Sequence, residues 1–514
     1  MALNSTLLRV WRSVLAALFG AAACFGVLAI TEPPGPGLDP DSMSYLGAAE
    51  SLVRQGSLRI PMADWSDPDS TSALRHFPPG FPIVIAIPVA LGARPEQAAR
   101  GVEAVSAFAA VALAVWIVAA VTGPGAGALA GAALLATPAL ALDHARVLSE
   151  PLCLALLAAT LALMVFSKRP LLYGVAAAAA GLVRYAAVPA GGAAVLWAFG
   201  LHGSLRERVR RAALAALPTA LLSAAVMLRS LLESGGARGI GLHADLGPTL
   251  REAGVTVVAW LAPLVPPRFG GVLLAAMVAG AGIALLLDAA SGRPGRPEPT
   301  SPARSLLLAA GLLAACYAAF VLASRLFVFD SIPFDDRMLS PVIFLADIAA
   351  VAALGSCWRA WARPLRLVAV TCTVLWLTAS GFATVRAIED ARDGGWGYAG
   401  DAWRGSRLAA WLRAEGRGFE IFSNDPAAVY FATHRASHEL PTDATQDVVT
   451  EFDHALHARR SLIVGFSTDY DRMIAPDSLA GLLGLRKVAA FPDGAVWVSE
   501  PLSPAQLKGS LQQH

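Results

Sequence analysis

Long apolar segments, separated by short polar loops, recur along the first 390 residues of the chain. A helix that crosses a membrane needs about 20 consecutive, mostly apolar residues. By this measure the sequence predicts about eleven spans, near residues 10–30, 97–121, 125–141, 150–166, 170–183, 186–201, 212–232, 258–288, 304–323, 338–355 and 365–386. The region 170–201 fits either two short helices or one long helix. The pattern therefore predicts an all-α polytopic membrane bundle.

Charge in the loops predicts the orientation of these spans. Only Arg9 and Arg12 precede the first apolar segment, which places the N-terminus in the cytoplasm by the positive-inside rule. Basic segments then fall on the cytoplasmic side, at residues 167–169, 206–211, 292–304 and 359–366. The opposite loops carry acids and histidines, at 31–96, 143–150, 233–252 and 324–337. A cleaved signal peptide is the alternative for the first segment. We prefer a retained helix, because the basic loops downstream then alternate correctly between the two sides of the membrane.

Beyond about residue 390 the pattern becomes that of a soluble domain. Apolar runs predict strands at 419–423, 461–466 and 495–498. Helical spacing predicts helices around Leu408 and Leu412 and at 427–432, 444–459 and 475–484. We expect residues 1–390 to form a transmembrane domain and residues 391–514 a small periplasmic or extracellular α/β domain.

Composition agrees with an integral membrane protein. The chain has 514 residues, of which 56% are hydrophobic and 15% charged, too apolar for a soluble domain of this length. A net charge of +2 gives no indication of nucleic-acid binding. The five cysteines lie in or beside apolar segments without the paired spacing of a metal site.

The outer loop 31–96 holds the first candidates for chemistry. Asp39 and Asp41 directly precede a segment in which Tyr45, Leu46, Ala49, Leu52 and Val53 share one helical face. Such a face suits a helix lying on the bilayer surface. The alternative for Asp41 is a structural N-cap, because aspartate is favoured where a helix begins.

Several short motifs, in this order and all in outer loops, resemble the membrane glycosyltransferases of the GT-C class. The motifs are residues 40–56, the run 76–82 with Pro78-Pro79, residues 148–152, 181–185, Arg229 with 235–241, and 335–341. The greatest similarity is to the protein mannosyltransferase and aminoarabinose transferase branch. In the last motif Met338 replaces the aromatic residue that is usual there.

This resemblance implies a reaction. Enzymes of this branch take a sugar from a polyprenyl-phosphate donor in the bilayer and transfer it at the outer face. The acceptor hydroxyl loses a proton as it attacks the anomeric carbon, so a carboxylate can act as general base. We assign this role to Asp41, with Asp39 as the runner-up because an Asp-Pro pair also suits a turn.

Cationic side chains would stabilise the departing lipid phosphate, and Arg184 and Arg337 are the candidates. For Arg184 the alternative is a side chain that only reaches the interface, and for Arg337 a local ion pair with Asp335 or Asp336. Glu150 either orients the acceptor or braces an arginine, or is simply a first-turn acid favoured by the helix dipole.

Three residues of the first loop complete the predicted site. Arg75 and His76 are candidates for donor or acceptor contacts, with a solvated loop pair as the alternative. Tyr45 is a candidate for substrate binding. No metal site is predicted, although some GT-C enzymes that act on asparagine use a divalent metal and the sequence does not settle this point.

Two other classes stay open at this stage. One is a lipid or solute transporter, which would place ionisable groups within broken helices. The other is a non-catalytic protein that binds polyprenyl phosphate. The acids cluster in outer loops, which favours the transferase. We expect a multi-pass protein of a bacterial plasma membrane whose acceptor is a cell-envelope glycan, lipid or protein.

Overall fold

The computed structural model describes residues 5–32, 35–233, 246–265, 301–328, 332–358, 360–468 and 473–499. By its internal contacts the chain forms two compact units. The first, here called the helical unit, comprises Met1–Glu32 and Arg100–Asp393. The second, here called the sheet unit, comprises Pro33–Ala99 and Gly394–His514. Residues 33–99 thus group with the C-terminal region, whereas we expected the loop 31–96 to belong to the transmembrane domain.

The helical unit is built from helices throughout its described residues. They are α1 (Ser5–Ile30), most of α4 (Pro95–Thr122), α5 (Pro124–Ala136), α6 (Pro138–His144), α7 (Glu150–Phe166), α8 (Pro170–Val183), α9 (Pro189–Gly200), α10 (Leu205–Glu233), α11 (Leu246–Leu261), α12 (Pro302–Phe327), α13 (Asp336–Cys357) and α14 (Arg363–Gly394). Proline occupies one of the first two positions of α5 to α9, where its missing N–H leaves no intrahelical bond unmade.

Six helices of the described residues are long and apolar enough to cross a membrane, or seven if α5 and α6, bent by 67°, form one span. Four shorter apolar helices accompany them, among them α7 and α8. The prediction of a polytopic helical membrane protein is confirmed. The number of eleven stays a prediction, and the span near 258–288 lies largely outside the described residues.

Small residues allow close helix packing in the helical unit. A Cβ at Gly174 of α8 would lie 2.4 Å from the backbone oxygen of Ala215 on α10. A Cβ at Gly131 of α5 would lie 2.4 Å from the Phe19 ring on α1. Membrane helices associate through such close contacts, because lipid provides no hydrophobic driving force between them.

The sheet unit contains a six-stranded sheet of order β2-β5-β4-β6-β8-β7 and a two-stranded pair β1-β3. The strands are β1 (Arg59–Ile60), β2 (Met62–Ala63), β3 (Ser72–Ala73), β4 (Glu420–Ser423), β5 (Ser437–Glu439), β6 (Ser461–Phe466), β7 (Arg486–Phe491) and β8 (Gly494–Val498). The helices are α2 (Pro40–Gln55), α3 (Gly80–Ala90), α15 (Asp401–Arg404), α16 (Arg407–Glu415), α17 (Pro426–Thr433), α18 (Gln446–His457) and α19 (Pro476–Leu482). The three strands predicted in the C-terminal region are confirmed as β4, β6 and β8.

One strand of the large sheet comes from the first outer loop. β2 pairs in parallel with β5, with Met62 opposite Ser437 and Ala63 opposite His438. The sequence analysis predicted neither β2 nor β5, because each spans only two or three residues and shows no clear alternation. This pairing joins two segments that are far apart in the chain.

The first half of α2 is buried in protein. The Tyr45 ring is 1% exposed and packs against Phe77 and Phe81, with ring centroids 4.8 and 5.0 Å away. Leu46 and Ala49 are also buried. The helical face that we expected to lie on the bilayer is therefore occupied by contacts within the sheet unit, while Val53, nearer the end of α2, is exposed.

Candidate functional site

Three predicted site residues of the helical unit meet where three helix ends converge. Glu150 is the first residue of α7, Arg184 follows the last residue of α8, and Arg337 is the second residue of α13. We call these three residues the Glu150 cluster. Helix ends suit such a site because their backbone groups have few intrahelical partners.

Both arginines contact the same carboxylate oxygen. Oε1 of Glu150 lies 2.7 Å from Nη1 of Arg184 and 2.5 Å from Nε of Arg337. The side chain of Glu150 is fully buried, that of Arg184 is 9% exposed and that of Arg337 is 22% exposed. A buried carboxylate requires such partners, since removing it from water is costly. Glu150 therefore braces both arginines.

Arg337 forms an ion pair with Glu150, which lies far from it in the sequence. The Asp335 side chain caps α13 by accepting from the Met338 N–H at 2.8 Å, and Asp336 accepts from the Arg337 N–H at 2.9 Å. Both acids thus serve the backbone at the start of the helix.

Serine and tyrosine hydroxyls support the cluster. The Ser149 hydroxyl accepts from Nη1 of Arg184 at 3.4 Å and donates to Oε2 of Glu150 at 3.3 Å. Tyr317 donates to the backbone oxygen of Met338 at 3.1 Å, and the Met338 sulfur accepts from Nη2 of Arg184 at 3.3 Å. Met338, which replaces the expected aromatic residue, therefore contacts a member of the cluster.

An ion pair fixes the segment that leads into α13. Oε1 of Glu252 accepts from the Phe334 N–H at 2.7 Å, and Oε2 lies 2.5 Å from Nη1 of Arg325. The same Arg325 nitrogen donates to the Ile332 carbonyl at 2.9 Å. These bonds hold the chain just before Arg337 from two neighbouring helices.

Further buried charges lie on the chain that leads into α7. Asp143 pairs with Arg146 at 3.2 Å, and both side chains are at most 10% exposed. Glu103 of α4 accepts from the Leu148 N–H at 3.1 Å. The sequence analysis missed Glu103, although a single acid within an otherwise apolar span is a signal for a buried polar contact.

The same signal marks Asp347, a second residue that sequence reasoning missed. It lies within α13 and is 4% exposed. Its two oxygens accept from Thr137 at 3.0 Å and from the Trp260 indole at 3.2 Å. Thr137 lies at the bend between α5 and α6, so Asp347 stabilises that bend by a hydrogen bond.

The Glu150 cluster combines two guanidinium groups with one carboxylate, which gives it a formal charge of +1. A guanidinium has five N–H donors, so one arginine can contact a carboxylate and a phosphate together. Arg337 is the most exposed member of the cluster. Chemically, the arrangement is suited to hold an anion at a helix-lined, water-poor position.

In the sheet unit, the predicted acids lie at the start of α2. Asp39 is the N-cap and forms a capping box with Ser42, whose hydroxyl accepts from the Asp39 N–H at 2.9 Å. Asp41 is the second residue of the helix. The alternative that Asp41 is the N-cap is therefore wrong, because Asp39 occupies that position.

Backbone pairing holds the residue before these acids. Leu38 exchanges hydrogen bonds with Trp396 at 3.2 Å and Tyr398 at 2.8 Å. Between them, Gly397 has a φ of +58°, and a Cβ there would lie 2.1 Å from the Leu38 carbonyl oxygen. Glycine is required at this position for both reasons. The Gly- and Trp-bearing run of the C-terminal region thus fixes the entry to α2.

The remaining predicted residues of the first loop differ in exposure. Arg75 and His76 lie on an exposed loop of the sheet unit, where the His76 ring packs edge-on against Phe77. Tyr45 lies in the core, as described above. Substrate contacts by these three residues stay predictions, and residues 235–241 of the motif with Arg229 lie outside the described residues. Over the part of the chain that the structure describes, no group of three or more His, Cys, Asp or Glu side chains is arranged to hold a metal ion.

No protein-family model matches the chain, and no curated protein sequence matches it. Solved structures do match it over nearly its whole length. ArnT from Cupriavidus metallidurans in the apo state superposes with a TM-score of 0.59 at 15% identity, covering 94% of this chain and 97% of ArnT. The same ArnT bound to undecaprenyl phosphate gives a TM-score of 0.55 at 16% identity, with 94% and 98% covered.

The arabinofuranosyltransferase AftD from Mycobacteria is a further match. It gives a TM-score of 0.55 at 16% identity and covers 97% of this chain but 42% of AftD. All of these neighbours are GT-C membrane glycosyltransferases. At such low identity the likeness shows the fold, and the chain therefore has the GT-C fold that its motifs resemble.

Proposed function

We propose that this protein is a glycosyltransferase that moves a sugar from a polyprenyl-phosphate donor to an acceptor hydroxyl at the outer face of the membrane. The observation that supports this most directly is the Glu150 cluster, which brings two predicted phosphate-binding arginines to one carboxylate within a GT-C fold. The undecaprenyl phosphate bound to ArnT is a ligand of the same class.

In this proposal Arg337 and Arg184 contact the phosphate of the donor. Their positive charge stabilises the lipid phosphate as the bond between the anomeric carbon and the phosphate oxygen breaks. Glu150 is a positioning residue, because its single oxygen fixes both guanidinium groups. A fixed arrangement needs no reorganisation when the charge develops.

Asp41 acts as the general base. The acceptor oxygen attacks the anomeric carbon from the side opposite the phosphate, which inverts the configuration, and its proton passes to the Asp41 carboxylate. Asp39 is less suited to this role because it caps α2. In this proposal Asp39 has a structural role at the start of α2, and Asp41 has the catalytic role.

The test is a pair of equivalent substitutions, Asp41→Asn and Asp39→Asn. Loss of a general base lowers the rate of transfer by about 10²–10⁴-fold, so Asp41→Asn is expected to reduce sugar transfer by this amount. Asparagine caps a helix about as well as aspartate, so Asp39→Asn should retain activity. Sugar transfer by Asp41→Asn at the wild-type rate would remove Asp41 as the base.

The substrates are identified by a separate experiment. Mass spectrometry of envelope glycans and glycolipids from a strain that lacks the gene should show one missing sugar residue on one acceptor. An unchanged envelope, with the protein expressed in the parent strain, would contradict the proposed transfer. Labelling of a cysteine introduced at exposed Arg75 from outside the cell tests the outer location of the first loop.

A further inference from the structure

Helix α3 of the sheet unit presents an apolar stripe to its surroundings. Ile83 and Ile87 of α3, and Leu91 directly after it, follow one another at intervals of four residues and are 39%, 60% and 85% exposed. On the opposite face, Phe81 and Ile85 are fully buried. Such a stripe, with no charge inside α3 itself, suits a helix that contacts the apolar part of a bilayer.

A cavity of about 770 Å³ lies at the C-terminal end of this stripe. Its wall includes the apolar residues Val53 and Val89 and several polar groups. The polar groups carry both signs of charge and come from α2, from the chain between α3 and α4, from the first turn of α4, and from the residue after α17: Glu50, Arg54, Arg94, Glu96 and His434. A cavity of this size accommodates a small polar group.

The course of the chain sets the depth of this cavity in the membrane. Gly92 and Arg94 line it, and Pro95 begins α4, a helix long and apolar enough to cross a membrane. The first residues of a membrane-crossing helix lie at the level of the lipid headgroups. The cavity therefore lies in the headgroup region, beside a helix whose apolar stripe faces outward.

Glu50, in the wall of the cavity, has two partners. Glu50 forms an ion pair with Arg54 at 3.3 Å and accepts a hydrogen bond from the Tyr430 hydroxyl. Burial, this hydrogen bond and the charges of Glu50 and Glu96 raise the pKa of Tyr430. Glu50 thus contacts Tyr430, while Arg94 is exposed and Arg54 is 74% exposed.

We propose that this cavity binds the phosphoethanolamine headgroup of a bilayer phospholipid. Arg54 and Arg94 bind the phosphate, and Glu50 and Glu96 accept hydrogen bonds from the ammonium group. The acyl chains of the lipid lie against the stripe of Ile83, Ile87 and Leu91. This site is separate from sugar transfer and does not depend on the function proposed above.

The charges of the cavity distinguish this headgroup from the other common ones. Two arginines and two glutamates match a zwitterion rather than an anion. A primary ammonium donates hydrogen bonds to carboxylates, whereas a quaternary ammonium has no donor and is bound by aromatic faces. Phosphatidylethanolamine is therefore preferred over both phosphatidylglycerol and phosphatidylcholine.

The experiment uses the full-length protein in nanodiscs of phosphatidylcholine that contain a minor fraction of phosphatidylethanolamine or of phosphatidylglycerol. Native mass spectrometry then counts the phospholipids that stay bound after release from the disc. Wild-type protein should retain phosphatidylethanolamine preferentially. Each of Arg94→Ala and Glu96→Gln should weaken this retention about tenfold or more, because each removes a charge-assisted hydrogen bond.

Arg486→Ala is the matched control, since Arg486 is also exposed in the sheet unit but does not line the cavity. It should leave retention unchanged, and unchanged unfolding temperatures show that each variant is folded. Equal retention of phosphatidylglycerol, selective loss only in Arg94→Ala, or wild-type retention in both cavity variants would overturn the proposal. As a second measurement, an environment-sensitive dye on Ile87→Cys should emit at shorter wavelength in nanodiscs, whereas a water-like emission would place the stripe outside the bilayer.

Discussion

The Glu150 cluster and the start of α2 hold their charged residues in opposite ways. In the helical unit, a buried arginine, a partly exposed arginine and a buried carboxylate fix one another by ion pairs at the ends of three helices. In the sheet unit, Asp39 and Asp41 lie at the beginning of one helix whose entry is fixed by backbone hydrogen bonds to Leu38. Ion pairs position the side chains of the first region, and backbone hydrogen bonds fix the chain that enters the helix in the second.

The difference predicts where substitutions affect folding and where they affect chemistry alone. Removing one member of a buried ion pair leaves its partner uncompensated, so stability and function are lost together. Removing a carboxylate at a partly exposed helix start costs little stability, so its chemical role can be measured separately.

Glu150→Gln should destabilise the helical unit most. The substitution leaves two arginines, 9% and 22% exposed, without their shared carboxylate. Breaking a buried pair in this way costs about 3–5 kcal/mol, measured as a fall in the unfolding temperature of the purified protein. Glu389→Gln, at an exposed position of α14, is the control and should have little effect. A similar small effect of both variants would show that the cluster does not stabilise the fold.

Gly397→Ala should disturb the entry to α2. Alanine at a positive φ costs about 1–3 kcal/mol, and here its Cβ would also meet the Leu38 carbonyl at 2.1 Å. Gly418→Ala is a close control, because Gly418 also has a positive φ, of +80°, with no neighbouring atom within 4 Å. The difference between the two unfolding temperatures measures the contact with Leu38, and equal values would exclude it.

Asp39→Ala should cost about 1 kcal/mol through loss of the N-cap, and Asp39→Asn only a few tenths. The same two variants should differ in the same order in sugar transfer, since a frayed start of α2 displaces Asp41. Helical content and thermal unfolding give the first comparison, and a transfer assay gives the second. If Asp39→Asn lost sugar transfer while Asp41→Asn kept it, Asp39 rather than Asp41 would be the better candidate for the base.

The smallest predicted effect is a pH dependence of the sheet unit. Burial raises the pKa of Glu420, but hydrogen bonds from Arg459 at 2.6 and 2.7 Å and from His438 at 2.7 Å outweigh it and lower the pKa. Because the folded-state pKa is lowered, Glu420 stabilises the fold above its ordinary pKa of about 4.3. This contribution, under about 1 kcal/mol for a partly solvated pair, is lost as the pH falls through the folded-state pKa.

Glu439, on the neighbouring strand β5, should show the opposite dependence of stability on pH. Burial and the charge of Asp64 raise the pKa of Glu439. Its contribution is therefore full below the ordinary pKa and is lost as the pH rises through the folded-state value. Unfolding temperatures measured between about pH 3 and about pH 7 test both assignments. As the pH rises, the wild-type protein should gain stability relative to Glu420→Gln and lose stability relative to Glu439→Gln. Parallel curves for the two variants would contradict this assignment.

Periodicity predicted the local structure well. The segments expected near 150–166 and 170–183 coincide with α7 and α8, and the strand expected at 461–466 is β6. These elements have long, unbroken patterns that depend on neighbouring residues only. The membrane bundle and much of the C-terminal α/β region were therefore accessible from sequence.

Long-range contacts were not accessible in the same way. Glu150 and Arg337 are 187 residues apart in the sequence. They come into contact only in the folded chain, where three helix ends meet. Asp39 and Asp41 offered the same local signal for an N-cap, and only the conformation of residue 39 decided between them. Glu103 and Asp347 carried a usable signal, an acid within an apolar span, that the sequence analysis did not follow.

The pairing of β2 with β5 has a consequence for biosynthesis. Met62 and Ala63 leave the ribosome long before their partners Ser437 and His438. During that interval the helices of the bundle are synthesised and inserted, and β2 has no β5 with which to pair. The nascent chain therefore acquires a complete sheet, and a fixed Leu38, only after translation has passed the last membrane segment, so a prematurely terminated product would have an unsupported α2.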